Sequence, residues 1–168
     1  MTTTQQPLPS LLAAVPADFT GALEALDLWA AADAALPRIP QGSHVYLLTW
    51  ATPAGRLAAY VGQSNDLRRR MAEYHRGLQV RCPDDRKLAF LQRWLEARWP
   101  GGRLDLHWAP APEDAPARHA AEGRWIAALR PLGNGKGRQA LPEQRLVEDA
   151  YARYYAAYFD RMADLPPA

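Results

Sequence analysis

Apolar and polar positions change their period along this chain, and the changes mark its elements. Two short runs, His44 to Trp50 and Leu57 to Gly62, are rich in β-branched, aromatic and leucine residues and flank a segment that holds Pro53 and Gly55. They predict a β-hairpin with a loop longer than the tightest turns. Past Gly62 the period lengthens. Ser64 or Asn65 is expected to cap a helix that begins near Asp66, with Asp66 in its electropositive first turn. On that helix Leu67, Arg70, Met71 and Tyr74 fall at i, i+3, i+4 and i+7 and share one face.

The remaining elements follow from the same rules. Residues 1 to about 16 are polar and proline-bearing, a loosely held lead-in. An alanine-rich helix is expected from Phe19 to Leu36, striped by Phe19, Leu23, Leu26, Ala30 and Ala34 and closed by Pro37 and Pro40. After a loop at Gly77 to Pro83, a helix from Asp84 to Trp99 buries Leu88, Leu91, Trp94 and Leu95, and Pro100 to Gly102 stop it. Leu104 to Trp108 alternates as a third strand, with Leu104, Leu106 and Trp108 on one side. A helix from Glu113 to Arg130 ends at Pro131 and Gly133, and a glycine-rich link, Gly133 to Gly137, leads to a last helix from Pro142 to Met162. Its broad stripe of Val147, Tyr151, Tyr154, Tyr155, Tyr158, Phe159 and Met162 is too apolar to leave in water. It either packs on the domain or forms a homodimer or partner surface.

Two charges break the pattern. Arg70 sits on an otherwise core-type face, where it either snorkels to a carboxylate or serves a site. Arg68, Arg69 and Arg70 together oppose the macrodipole near a helix N-terminus, an arrangement best tolerated beside a polyanion. Glu122 falls in line with Trp125, Ile126 and Leu129, and a carboxylate on such a face needs a cation, a metal or several donors. Two helices that each turn one charge inward could form a structural Arg70–Glu122 ion pair, or an active site.

Composition changes this picture little. The 168 residues are 48% hydrophobic, ordinary for one soluble domain. The net charge of +2 conceals a basic middle: Arg56 to Arg103 holds eleven basic residues against five acidic ones, which suits phosphate contacts. The single Cys82 rules out an intrachain disulfide and a thiolate metal cluster. The N-terminal MTTTQQPLPS lacks the features of a signal peptide, and no apolar run approaches the ~18 residues of a membrane span. A cytoplasmic protein with no membrane partner is the expectation. His44, His75, His107 and His119 show no zinc-type spacing.

The ordered set Val45-Tyr46, Tyr60-Val61-Gly62, Arg70, Tyr74 and Glu122, followed by Trp125, Ile126, Arg130, Pro131 and Asn134, resembles the GIY-YIG nuclease family over about residues 44 to 134. Two departures stand out: His44 replaces the glycine that opens the first motif, and Gln63 occupies a position where several members carry a lysine. The resemblance implies an α+β fold with a small three-stranded antiparallel sheet flanked by helices. Here that means a nuclease-like domain at 41–138, preceded by a lead-in and helix at 1–40 and followed by a packed C-terminal helix at 139–168. It also implies a Mg²⁺- or Mn²⁺-dependent DNA endonuclease or nickase. Arg70 would stabilise the transition state, Glu122 would bind the metal, and Tyr46, Tyr60 or Tyr74 would orient or deprotonate the attacking water.

That chemistry suits the residue types. A guanidinium and a divalent cation can both stabilise charge that accumulates on a phosphodiester, and one carboxylate completed by waters and phosphate is a common Mg²⁺ arrangement. Gln63, Arg68, Arg69, His75, Asn134 and Lys136 are the expected substrate contacts, mainly to DNA phosphates. Tyr46 and Tyr60 read equally well as packed strand tyrosines, and Asn134 as a turn residue. Two other functions remain open: a catalytically inactive nucleic-acid-binding module of the same fold, and an interaction domain that uses the aromatic C-terminal helix.

Overall fold

The computed structural model describes residues 11–30, 34–76, 83–135 and 138–161. Over these residues the chain runs β1 (Gly21–Leu23), β2 (His44–Thr52), β3 (Gly55–Ser64), α1 (Leu67–Arg76), α2 (Pro83–Arg98), β4 (Arg103–Pro110), α3 (Ala115–Leu129) and α4 (Pro142–Arg161). Short 3-10 turns occupy Leu36–Arg38 and Leu132–Asn134. The fold is α+β, with a four-stranded antiparallel sheet ordered β1-β4-β2-β3 and four helices.

The sheet has one strand more than the hydrophobic pattern predicts, because the described residues of the expected Phe19–Leu36 helix do not form it. Its first part is β1, with Gly21 opposite Trp108 and Leu23 opposite Leu106. A Cβ on Gly21 would run into the Trp108 indole, so this pairing requires glycine. Ala25 turns the chain at a positive φ of 56° and donates its N–H to the Asp105 carboxylate at 3.0 Å. Packing outweighs alanine's helical propensity, a difference of well under ~1 kcal/mol per residue. Leu23, Leu26, Leu28 and Ile39 all enter the core, so this stretch is part of the same hydrophobic unit.

The β2–β3 hairpin is also tighter than expected. Thr52 pairs with Gly55, so only Pro53 and Ala54 lie in the turn. Gly55 adopts φ 138°, and the Thr52 hydroxyl donates to its carbonyl at 3.0 Å. The cap of α1 is Asp66 itself, whose Oδ1 accepts the Arg69 N–H at 3.1 Å, while Ser64 Oγ accepts the Asp66 N–H.

Strand alternation sends Tyr46, Leu48, Trp50, Leu104 and Leu106 to one face, where they pack with Leu67, Met71 and Tyr74 of α1, Leu88, Leu91 and Leu95 of α2, and Val147 of α4. The opposite face presents Val45, Leu47, Ala58, Val61 and Ala109 to Phe19 and to Ala121, Trp125, Ile126 and Leu129 of α3. The first half of the C-terminal stripe lies on α2. Phe90 is 5.2 Å from the Tyr151 ring and 5.0 Å from the Tyr154 ring, Arg86 Nε donates to the Tyr154 hydroxyl at 2.8 Å, and Lys87 pairs with Glu148.

The α3 face also buries a polar network. Asp105 is fully buried and accepts from Arg56 at 3.1 Å and from Arg103 at 3.0 Å. His107 Nε2 lies 3.0 Å from Thr49 Oγ1 and 3.1 Å from Arg56 Nη1. Arg56 can only donate, so this nitrogen is an acceptor and the ring is neutral. Burial, reinforced by the Arg56 charge, holds the His107 pKa below its ordinary 6.5. The folded state therefore binds fewer protons than the unfolded chain around that pH, and its stability should fall as pH drops from about 6.5 through the depressed value. Thermal melts from pH 8 to pH 5 should show this loss, and His107→Gln should flatten it.

Candidate functional site

Edge strand β3 carries the site, with α1 on one face and α3 on the other. Tyr46 of β2 is paired with Gly62 of β3, and a Cβ at position 62 would strike the Tyr46 hydroxyl. Glycine there lets the Tyr46 side chain cross the neighbouring strand. Beyond it, the Tyr46 hydroxyl makes a short hydrogen bond with the Tyr74 hydroxyl of α1. The Tyr60 ring packs 6.3 Å from the Tyr46 ring, and the three tyrosines form one cluster.

Arg70 stands beside this cluster. Leu67, Met71 and Tyr74 are essentially inaccessible, as the helical period requires, while the Arg70 side chain retains 25% exposure. Its guanidinium carbon lies 4.3 Å from the Tyr74 ring centroid. Nη1 donates to Glu73 at 2.8 Å and to the buried Asp85 of α2 at 2.8 Å. Burial opposes the Arg70 charge, but Tyr74, Glu73, Tyr46 and Asp85 more than offset it and raise its pKa above the ordinary value. The alternative of a structural Arg70–Glu122 ion pair is not formed: among the described residues, Arg70 bridges Glu73 and Asp85, and Glu122 contacts His119.

Glu122 enters from the other side. The buried positions of α3 are Arg118 and Ala121, which leaves Glu122 half-buried at the margin of the core face. Burial raises its pKa, and His119 only partly counters this. Its charge is felt at Tyr60, as is the charge of Arg70. All three tyrosines have pKa values above the ordinary value of about 10, chiefly through burial.

The remaining candidates divide into supports and exposed groups. Asn134 accepts the Val61 N–H and donates to the Val61 carbonyl, both at 2.8 Å. It thereby substitutes for a missing neighbour strand and ties the turn after α3 to the edge of β3 between Tyr60 and Gly62. Arg68 donates to the Ile39 carbonyl at 2.8 Å and to Pro37 at 3.3 Å, fastening the 3-10 turn to α1. His75 Nδ1 lies 2.9 Å from the Ala30 carbonyl, and its Nε2 is buried with no hydrogen-bond partner among the described residues. Arg69, 60% exposed and bonded to Asn65, is the cation of the trio presented to solvent. His44 Nδ1 turns back to the Gly42 carbonyl at 2.9 Å. Lys136 lies outside the described residues.

Gln63 is held between two side chains of α3. Arg118 Nε donates to its Oε1 at 2.6 Å, which forces its amide nitrogen toward the His119 ring at 3.4 to 3.5 Å. Arg118 is itself fixed by the carbonyls of Pro112 and Glu113. Arg118, His119, Glu73 and Asp85 are site neighbours that the hydrophobic pattern does not single out. The first two lie at i−4 and i−3 from Glu122, and Glu73 at i+3 from Arg70, so helical spacing contains a signal for them. Asp85 arrives from a separate helix with no such signal.

A half-buried carboxylate that lacks a full cationic partner is a fitting ligand for a divalent cation. No group of three or more His, Cys, Asp or Glu side chains gathers around a metal position among the described residues, so the protein would leave several ligand positions to water and substrate. Cavities of about 550 and 440 Å³ occur elsewhere, the first between α3 and the start of α4, the second beside Leu12 to Val15, and neither is lined by the tyrosines. No helix among the described residues is long and apolar enough to cross a membrane. Comparisons with known proteins find no matching family model, curated protein or solved structure.

Proposed function

We propose that this protein is a metal-dependent endonuclease or nickase that hydrolyses DNA phosphodiester bonds by GIY-YIG-type chemistry. One observation carries the reading: the Tyr46, Tyr60 and Tyr74 cluster stands beside Arg70, whose guanidinium lies 4.3 Å from the Tyr74 ring, while α3 lays the half-buried Glu122 along the other face of the same strand. Residues far apart in the chain meet on one strand, and each charge is held by partners other than the opposite charge. A purely structural ion pair would have brought the two together.

Arg70 offers the N–H edge of its guanidinium not used by Glu73 and Asp85 to a non-bridging phosphate oxygen, where negative charge accumulates. The two carboxylates fix its orientation before substrate arrives, which avoids reorganisation during the reaction. The tyrosines take the role of orienting hydroxyls. With pKa values raised by burial they remain protonated near neutrality, so they donate to or position a water and do not deprotonate it. Glu122 would hold Mg²⁺ or Mn²⁺, which when bound supplies Lewis acidity at the phosphate. Gln63 and Asn134 support the site, and Arg69 reaches outward to the backbone of the nucleic acid.

A second reading, a catalytically inactive nucleic-acid-binding module, is favoured by one specific observation. Nη1 of Arg70 is already saturated by two carboxylates, which reduces the positive charge left for substrate. Conversion of supercoiled plasmid in the presence of Mg²⁺ or Mn²⁺ separates the two readings.

Binding itself should be backbone-directed in either case. With about four phosphate contacts, affinity should drop on the order of 100-fold between 50 and 200 mM salt and vary little among unrelated duplexes. Fluorescence anisotropy titrations at both salt concentrations would measure this. A sharp preference for one short sequence would argue for base readout instead.

A further inference from the structure

We infer that His119 is a second protein ligand of the divalent cation, so that the metal site has a mixed carboxylate–imidazole donor set. The inference rests on the reading of Glu122 as a metal ligand and extends it. His119 Nδ1 lies 3.5 Å from Glu122 Oε2, one helical turn away on the same side of α3. Two donors each about 2.1 Å from one ion and at right angles to one another stand ~3 Å apart. A small rotation of either side chain reaches that geometry without any backbone movement.

Histidine 119 is also the histidine best placed for the task. His44, His75 and His107 are engaged with the Gly42 carbonyl, the Ala30 carbonyl, and Thr49 with Arg56, respectively. The His119 side chain is 61% exposed beside the half-buried carboxylate. Behind the ring stands the Gln63 amide, oriented by the buried Arg118. Because Arg118 takes the Gln63 oxygen, the amide nitrogen that faces the ring can only donate, so the exposed ring must turn its N–H to water when its other nitrogen holds the metal.

A nitrogen donor changes metal preference. Mg²⁺ favours all-oxygen surroundings, whereas Mn²⁺ and later first-row ions accept imidazole with rising affinity along the series. The full-length protein should therefore bind Mn²⁺ more tightly than Mg²⁺ through a site that shows nitrogen coordination.

The test is Mn²⁺ electron paramagnetic resonance on the intact protein, without substrate. Titration gives the affinity, and electron spin-echo modulation detects a directly bound ¹⁴N. Wild type should show ¹⁴N modulation that His119→Ala removes, with affinity at least about 10-fold weaker, since even outer-shell changes cost 10- to 100-fold. Glu122-dependent Mn²⁺ binding that lacks ¹⁴N modulation and is unaltered in His119→Ala would overturn the inference and leave the proposed function standing. Absence of Mn²⁺ binding, or binding unchanged in Glu122→Gln, would overturn both. Because His119 is 61% exposed, His119→Ala should melt with wild type, and circular dichroism checks this directly.

Discussion

Glu122→Gln is expected to lower metal-dependent plasmid cleavage by roughly 1,000-fold or more while leaving the fold and DNA binding nearly intact. The substitution keeps side-chain shape but removes the charge that would hold the cation, and such electrostatic groups contribute about 10²–10³ or more to rate. Stability should hardly suffer. Glu122 is half-buried, its pKa is raised by burial, and its interaction with His119 is 3.5 Å long, so the folded protein gains little from its ionised form. Melting curves should superimpose on wild type within the effect of about 1 kcal/mol, and salt-dependent duplex binding should persist.

Arg70 separates function from stability differently. Arg70→Ala should abolish cleavage and also lower stability by about 2–3 kcal/mol, because it strands the buried Asp85 carboxylate. Breaking a fully buried pair costs about 3–5 kcal/mol; the partial exposure of Arg70 places this case lower. Arg70→Lys supplies the control. An ammonium can still pair with Asp85 and Glu73 and should restore most of the stability, but it lacks the planar fork needed to hold carboxylates and a phosphate oxygen at once. Recovery of the melting temperature without recovery of cleavage would mark Arg70 as a transition-state group. If Arg70→Lys cut at the wild-type rate, only a point charge would be required there.

These expectations depend on partners that the hydrophobic pattern revealed unevenly. The apolar runs His44–Trp50 and Leu57–Gly62, and the i, i+4, i+7 spacing of Leu67, Met71 and Tyr74, correspond to strands and a helix that bury most of those residues. Leu104, Leu106 and Trp108 do share one face of β4. The apolar runs sufficed for β2 and β3 because the sheet is covered on both faces, and helical spacing sufficed for α1 because it packs one face on the core. Such spacing failed at Phe19–Leu36, where an alanine-rich sequence suggests a helix but Gly21 on Trp108 and the Asp105 bond to Ala25 select a strand and a turn. Trp108 lies 87 residues beyond Gly21 and Asp105 lies 80 beyond Ala25, outside any local window.

At the site, Arg70 and Glu122 stood out because a charge interrupts an apolar stripe, whereas their real partners could not be ranked from sequence. Asp85 carries no periodic anomaly at the head of its helix, and pairing across α1 and α2 is a tertiary fact. Likewise Asn134 reads as a turn residue, and only the edge position of β3 shows why its amide is required.

The most direct test of the account is the conversion of supercoiled plasmid by the purified full-length protein with Mg²⁺ or Mn²⁺, run beside Glu122→Gln and an EDTA control. The account predicts open-circular or linear product from wild type with metal, and none from the variant or in EDTA. Undiminished cleavage by Glu122→Gln, or DNA binding by wild type with no metal-dependent cleavage of duplex, branched or single-stranded substrates, would contradict it.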